Sequence, residues 1–262
     1  MAASVGVEAL LQSLESPDCR VRKAALLEAR RPLVPPEKPS GSLKGLRQAV
    51  DESQGDLHRR LALIARDAEA EANLWEKRWT DLSFVERLRG VRSREEQAQR
   101  IEDARRAYLA IIRDSKEPPT VRLIAAGEML FAIDRFHQFS QEKASPFPPG
   151  ALRTWTSDLL GLLKSSDPTV RLIGAIVAGA RPGIPGRTVR KGAIIPELIA
   201  GLRQPELTFR LRSQTTLEAL TGRDSCLDPT DTDPLRESEI KAWESWWNIE
   251  KKRLAPEKLP GS

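Results

Sequence analysis

Two stretches of the chain resemble one another although nearly 150 residues separate them. Residues 165–180 read SSDPTVRLIGAIVAGA, and residues 16–29 read SPDCRVRKAALLEA. Each begins with a polar turn that contains a proline, continues with a valine followed by an arginine, and ends in a mainly apolar run. Apolar residues recur there at helical spacing, so both stretches predict a turn that leads into a buried helix.

The same turn and helix occur twice more in the chain. An apolar residue followed by an arginine stands at the head of each second helix, and successive pairs are 100, 49 and 39 residues apart. An apolar helix precedes each turn, as in LLGLLK at residues 159–164. Such a helical hairpin cannot bury its apolar face alone, so the copies are expected to stack. The four pairs are Val21-Arg22, Val121-Arg122, Val170-Arg171 and Phe209-Arg210.

The turns contain residues that start helices. Asp167 is expected to cap the second helix of its repeat, with Pro168 at the first helical position, where no N–H group is needed. Ser93 and Glu96 have the spacing of a capping box, which predicts that a helix begins there. We expect this helix to run to Asp114 and to form the long first helix of the next repeat.

The D-x-x-V-R pattern at the head of the second helices resembles the HEAT repeat, whose helix pairs span about 40–47 residues. The resemblance implies an all-α fold, a right-handed, armadillo-like α-solenoid of about five HEAT-like helix pairs. It covers residues 1–222, with a divergent long-helix insertion at about 43–92. In such repeats the arginine usually pairs with the turn carboxylate of a neighbouring repeat, here Asp18, Asp167 or Glu206.

Residues 223–262 depart from the repeat and form a second predicted region, an acidic loop followed by a tryptophan-rich helix. The sequence LTG at residues 220–222, the pair Asp228-Pro229 and a later WxxWW motif resemble the ending of bacterial, planctomycete-type HEAT-repeat proteins. The resemblance implies that this region closes the repeat array. It does not imply an activity.

The tryptophan-rich helix allows two interpretations. Ile240, Trp243 and Trp247 lie on one helical stripe, with Trp246 beside it. Such a stripe suits an aromatic platform for a ligand or a nucleobase. A terminal repeat, however, needs a cover for its apolar face, and we favour this capping role.

The composition is that of an ordinary folded protein: of 262 residues, 40% are apolar and 30% are charged. Aromatic residues make up only 5% of the chain, which suits packed helices better than β-sheets. The net charge of +5 mildly favours acidic partners. Cys19 and Cys226 are too few and too far apart in sequence for a disulfide framework or a zinc site. No metal or cofactor is predicted.

The beginning of the chain contains no basic segment of the kind that opens a signal peptide. No apolar run approaches the roughly 20 residues of a membrane helix, so no membrane segment is predicted. A cytoplasmic location is therefore the default prediction. Export is the alternative if a signal was removed.

Six basic residues are candidates for contact with a partner. Arg181, Arg187, Arg190 and Lys191 lie within residues 180–192, which contain no acidic residue and are predicted to form an exposed loop. A solvated connection is an equally good interpretation of this loop. Arg171 and Arg210 would form a basic stripe on inner helices if they bind phosphates or acidic peptides. For these two we favour a structural ladder, because a partly buried arginine needs a carboxylate.

No phosphate-binding loop, nucleophile elbow, zinc-protease motif or cysteine–histidine pair occurs in a recognisable context, so we expect no enzyme. A stack of helix pairs presents an extended concave surface lined by its second helices. The leading hypothesis is a non-catalytic scaffold that binds a partner protein or peptide on that face. The alternative is a nucleic-acid-binding protein that uses the basic loop and the inner-helix arginines.

Overall fold

The computed structural model describes residues 9, 11–29, 40–91, 93–140, 150–180 and 187–254. Across these ranges the regular secondary structure is helical, with no strand, which confirms the predicted all-α fold. The α-helices are α1 (Cys19–Ala29), α2 (Ser40–Glu52), α3 (Gly55–Leu82), α4 (Phe84–Arg87), α5 (Arg94–Arg113), α6 (Pro119–Ser140), α7 (Ala151–Gly161), α8 (Pro168–Gly179), α9 (Arg187–Gly201), α10 (Leu207–Thr221) and α11 (Asp233–Leu254). A short 3₁₀ helix, Leu162–Lys164, follows α7.

Two helices begin where capping residues in the sequence predict. The Asp167 carboxylate accepts a hydrogen bond of 2.8 Å from the N–H group of Thr169, and Pro168 occupies the first position of α8. The Ser93 hydroxyl oxygen accepts a bond of 3.0 Å from the N–H group of Glu96 at the start of α5. Both predicted caps are confirmed, because each side chain supplies an acceptor to an N–H group that the helix itself leaves unpaired.

The divergent insertion is built mainly from α2 and the 28-residue α3. No glycine or proline interrupts residues 56–82, and the strong helix formers alanine, leucine, glutamate and arginine dominate them. Gly55 has a φ of 63° at the start of α3, a left-handed conformation that glycine adopts without steric cost. The over-long second helix predicted for this region is therefore confirmed.

The chain divides into two compact units. Unit 1 consists of Met1–Asn73 together with Ile199–Ser262, and unit 2 is the continuous stretch Leu74–Leu198. The N-terminal helices and the last helices of the chain thus fold together in unit 1. The boundary predicted at residue 222 was placed where the repeat pattern of the sequence ends. The two units are divided by contacts between residues instead, so this boundary stays a prediction.

The core of unit 1 joins helices from the two ends of the chain. Leu207 and Leu211 of α10 pack in one apolar cluster with side chains of α1, α2 and α3. In an open solenoid each repeat contacts only its neighbours along the chain. Here α1, α2 and α3 share a core with α10, a contact that stacking of the predicted repeats in chain order does not produce. The other buried members of the cluster are Leu14, Ala25, Leu26, Leu46, Ala49, Leu61, Ile64 and Ala65.

Unit 2 is arranged around α6 and α8. Helix α6 contacts α5, α7 and α8, and α8 also lies against α7 and the 3₁₀ helix. Residues Leu172–Gly179 of α8 are all buried, so this part of the helix has no exposed face. A Cβ atom added to Gly174 would lie 2.9 Å from Leu162 Cβ. The helices therefore approach so closely that only glycine fits there.

Of the helices that the structure describes, none combines the length and the apolar character that crossing a membrane requires.

Candidate functional site

The predicted basic loop is only partly a loop. Helix α9 begins at Arg187, so Arg187, Arg190 and Lys191 lie in its first turns and the loop prediction is wrong from Arg187 onward. The helix extends this far because Ile194, Ile195 and Leu198 recur at helical spacing and are all buried. Lys191 is half-buried. Arg181 and the side chains of Arg187 and Arg190 lie outside the described residues.

The repeat arginines share one hydrogen-bond arrangement. In three of the four, the Nη1 group donates to the backbone carbonyls of the residues six and five positions earlier, in the turn that precedes its own helix. These donors stabilise the last carbonyls of the turn, which lack partners within a helix. The bonds join Arg22 to Ser16 (2.7 Å) and Pro17 (3.0 Å), Arg171 to Ser165 (3.1 Å) and Ser166 (3.0 Å), and Arg210 to Gln204 (2.8 Å) and Pro205 (2.7 Å).

The fourth arginine follows a different geometry. Nε of Arg122 donates to the Ile112 carbonyl at 2.7 Å, and Nη2 pairs with the Asp167 carboxylate of the next repeat at 2.5 Å. This contact confirms one step of the carboxylate ladder that the HEAT resemblance implies. The hydrogen bonds from Arg122 and from two backbone N–H groups outweigh desolvation by burial and lower the pKa of Asp167.

Arg171 and Arg210, both predicted as candidates for partner contact, are occupied by internal bonds. Nε of Arg171 donates to Glu197 Oε1 at 2.9 Å, and Nε of Arg210 donates to the Pro229 carbonyl at 2.8 Å. Arg210 is buried, and this burial lowers its pKa to about 10, so it remains charged at neutral pH. The geometry supports a structural role of these two residues over a phosphate-binding stripe. The predicted pairing with turn carboxylates is not found at either one, because Arg171 pairs with Glu197 of α9 and the described bonds of Arg210 go to backbone carbonyls.

The acidic loop after α10 contacts the N-terminal helices of unit 1. The Asp228 carboxylate is buried and pairs with Arg22 of α1, at 3.4 Å, and with Arg60 of α3. It also accepts bonds of 2.9 and 2.5 Å from the N–H and hydroxyl groups of Thr230. Arg60 donates in addition to Asp231 at 3.0 Å. We call this contact between α1, α3 and the loop at 224–231 the N–C junction.

The edge of the N–C junction contains a second set of ion pairs. Lys23 of α1 donates to Glu218 at 2.8 Å and to Asp224 at 3.1 Å, and Arg20 pairs with Asp224 at 2.7 Å. Burial alone would lower the pKa of Lys23, but its two carboxylate partners outweigh burial and raise the pKa above its ordinary value. The hydrogen bond from Lys23 lowers the pKa of Asp224. Ion pairs with α1 therefore hold the acidic loop at Asp224.

A disulfide bond lies beside these ion pairs. Cys19, the first residue of α1, is bonded to Cys226 in the loop, with Cα atoms 5.3 Å apart. The sequence interpretation, which judged the cysteines too far apart, missed this bond because 207 positions of chain separate them. A signal was present: residues 20–23 read RVRK and the loop from residue 224 contains four aspartates, so the two segments have opposite charge.

The tryptophan helix packs into unit 1. Ile240, Trp243 and Trp247 of α11 are buried, as the capping interpretation predicts, and Trp246 is half-buried beside them. The guanidinium group of Arg223 lies 5.3 Å from the ring centroid of Trp243 and 5.9 Å from that of Trp246. The exposed edge of the aromatic stripe is thus covered by a cation from the loop.

The described residues contain no group of three or more histidine, cysteine, aspartate or glutamate side chains placed to hold a metal ion. A surface depression of about 430 Å³ in unit 1 is lined by charged residues that already pair with each other. Arg203 binds Glu237 there at 2.7 Å, and Arg236 pairs with Asp233. These ion pairs stabilise the start of α11. Each of the four charged side chains that line the depression therefore has a partner, and none is left for acid–base chemistry.

Comparison of the chain with protein-family models, with curated proteins and with solved structures finds no match.

Proposed function

We propose that the chain is a non-catalytic protein-interaction scaffold, a HEAT-like, right-handed α-solenoid of about five helix pairs that is closed by α11 and whose first helices also pack against α10. The recurrence of one arginine-to-turn arrangement at Arg22, Arg171 and Arg210 carries this proposal. Copies of a single stacking unit provide area and shape rather than reactive groups, and their usual output is a surface for a protein or peptide.

The burial of the second helices limits where such a partner binds. Leu172–Gly179 of α8 are buried, and the exposed residues of α10 are Arg212 and Ala219. A concave face lined by second helices would therefore offer few side chains. In this proposal the turns and the exposed positions of the first helices supply most of the contacts, chiefly those of α5, in which arginine residues are interspersed with glutamate and aspartate.

The alternative, nucleic-acid binding, has weaker support. In Arg171 and Arg210 the Nε and Nη1 groups already bond within the chain, which leaves fewer donors for a phosphate contact. The alternative would then depend on Arg181, Arg187, Arg190 and Lys191. Its distinguishing property is an affinity that falls steeply as salt is added.

A binding experiment with two arms tests the proposal. The full chain is titrated with labelled duplex DNA and single-stranded RNA at 50 to 200 mM salt, and is separately screened against a displayed peptide library. We expect saturable peptide binding that free peptide competes for, and no nucleic-acid binding at micromolar concentration.

Two matched charge-reversal variants test whether any nucleic-acid binding depends on the predicted basic segment. Lys191→Glu changes the candidate segment on α9, and Lys164→Glu changes an exposed lysine of the 3₁₀ helix. Nucleic-acid binding that Lys191→Glu weakens, that Lys164→Glu leaves intact and that declines about 10³-fold over this salt range would replace the scaffold proposal with the alternative.

A further inference from the structure

The disulfide of unit 1 is accessible to solvent. Cys226 is exposed and Cys19 is half-buried. The chain contains no other cysteine, so each thiol has one possible partner within the molecule. A bond with this exposure is open to thiol–disulfide exchange, whereas a buried one is protected from it.

We propose that the Cys19–Cys226 disulfide is a reversible redox latch that holds residues 222–226 against α1, and that its reduction uncovers the tryptophan edge of α11 while unit 1 stays folded.

The latched segment covers aromatic surface. It begins at Gly222, whose φ of 68° ends α10 in a left-handed turn, and it ends at Cys226. Between them, Arg223 lies over Trp243 and Trp246, and Asp224 pairs with Arg20 and Lys23 of α1. Arg223 and Asp224 are both exposed, so water competes readily for their contacts once the covalent bond is gone.

The rest of the N–C junction does not depend on the disulfide. Residues 227–230 are buried, and the Leu227 carbonyl accepts a bond of 2.7 Å from Gln214. The Pro229 carbonyl accepts from Arg210, and Asp228 retains its two arginine partners. Reduction therefore loosens the outer segment alone, because these inner contacts and the shared apolar core keep the loop attached.

The position of Cys19 favours exchange. A reductant thiolate bonds to the exposed Cys226 sulfur, the disulfide breaks, and Cys19 leaves as a thiolate that takes a proton from water. Cys19 opens α1, where the positive end of the helix dipole favours negative charge on the departing sulfur. A second thiol of the dithiol reductant then displaces Cys226. Two electrons pass to the protein, and the reductant becomes a disulfide.

The test uses the full chain and dithiothreitol without denaturant. Thiols are counted with a chromogenic disulfide reagent, hydrogen exchange is followed by mass spectrometry, and tryptophan emission is recorded. We expect two thiols to appear, helical circular dichroism to stay unchanged, and amides of residues 222–226 to exchange about tenfold faster or more. Tryptophan emission should shift to the red, and an oxidant should reverse each change.

Matched variants identify the cause of the emission change. Cys19→Ser with Cys226→Ser should resemble the reduced protein and should not respond to reductant. Arg223→Ala should be red-shifted already and should show no further shift on reduction, since its cover over the tryptophans is absent. Thiols that react only in denaturant, or a reduced protein that unfolds cooperatively, would show a structural bond and overturn the latch. Free thiols in the protein purified without reductant would overturn it as well.

Discussion

In unit 2 the helices α6 and α8 pack through aliphatic side chains and glycine, whereas in unit 1 the helix α10 and the loop that follows it bury arginine, aspartate, glutamine and threonine. Arg122 and Ser83 are the buried polar residues found in the described part of unit 2. Those found in unit 1 are Arg210, Ser213, Gln214, Thr216, Asp228 and Thr230.

The difference reflects two ways of specifying a contact. Aliphatic helices that are neighbours in sequence need only complementary shape, because the short turn between them already limits their arrangement. Segments from opposite ends of a chain have no such restraint. At the N–C junction a buried carboxylate is stable only when both Arg22 and Arg60 reach it, so charge pairing specifies which segments meet.

The largest expected effect tests the buried carboxylate of the N–C junction. Asp228→Ala leaves two arginines without their shared partner and should lower the free energy of unfolding by about 3–5 kcal/mol, measured by urea denaturation. Asp103→Ala, at an exposed position of α5, is the control and should change stability by about 0.5 kcal/mol or less. Adding Arg60→Met to Asp228→Ala should recover part of the loss. A loss under about 1 kcal/mol would mean that shape alone joins the chain ends.

A smaller loss of stability is expected when the arginine that binds the preceding turn is replaced, and its size should differ between Arg210 and Arg171. Arg210→Met removes three bonds to backbone carbonyls in a buried site and should cost about 2–4 kcal/mol of stability. Arg171→Met removes equivalent turn bonds in a site that water reaches, and should cost about 1 kcal/mol. Both are measured by urea denaturation. Equal losses would contradict the role of burial in separating these two copies.

Alanine substitutions at two glycines test how closely the helices of unit 2 pack. Gly174→Ala places a Cβ atom 2.9 Å from Leu162 Cβ and 3.0 Å from the Leu163 nitrogen, and should destabilise by about 1–3 kcal/mol. Gly127→Ala, in α6, meets no atom within 4 Å and should stabilise by about 0.5–1 kcal/mol. Thermal unfolding of both variants measures the contrast. Stabilisation by both would show that the helices tolerate a wider separation at α8.

The smallest effect is a pH dependence at the surface of unit 2. The hydrogen bond from Arg105, aided by Arg106, lowers the pKa of Glu102 from 4.5 to about 2. Because the folded-state pKa is the lower one, the stabilisation is complete above pH 4.5 and is lost as the pH falls towards 2. Glu102→Gln should therefore destabilise by about 0.5–1 kcal/mol at pH 7 after solvent screening, and this difference should shrink as the pH falls from 4.5 to 2. Urea denaturation across this range, repeated in 1 M salt, measures the difference; a difference that stays constant between pH 4.5 and pH 2 would contradict the assignment.

The helices and their ends follow from local sequence. Asp167 with Pro168 and Ser93 with Glu96 occur at the helix starts they predict, because capping involves atoms only a few residues apart. The stripe of Ile240, Trp243 and Trp247 likewise indicated a buried face. The prediction of a loop through Lys191 was wrong. It was based on the glycine and arginine content of the segment, whereas the helical spacing of the apolar residues that follow determines where α9 forms.

The sequence by itself determined that the chain is helical, where α5 and α8 begin, and that an arginine follows each of four predicted turns at the same position. These properties depend on residues a few positions apart in sequence. The interactions responsible form wherever the helices form, whatever the tertiary packing is. Only the tertiary structure decided that the first helices share a core with α10, that Asp228 is buried between Arg22 and Arg60, and that Cys19 meets Cys226. Contacts between residues about 200 positions apart depend on how every intervening helix packs. No local pattern in the sequence shows the combined result of that packing.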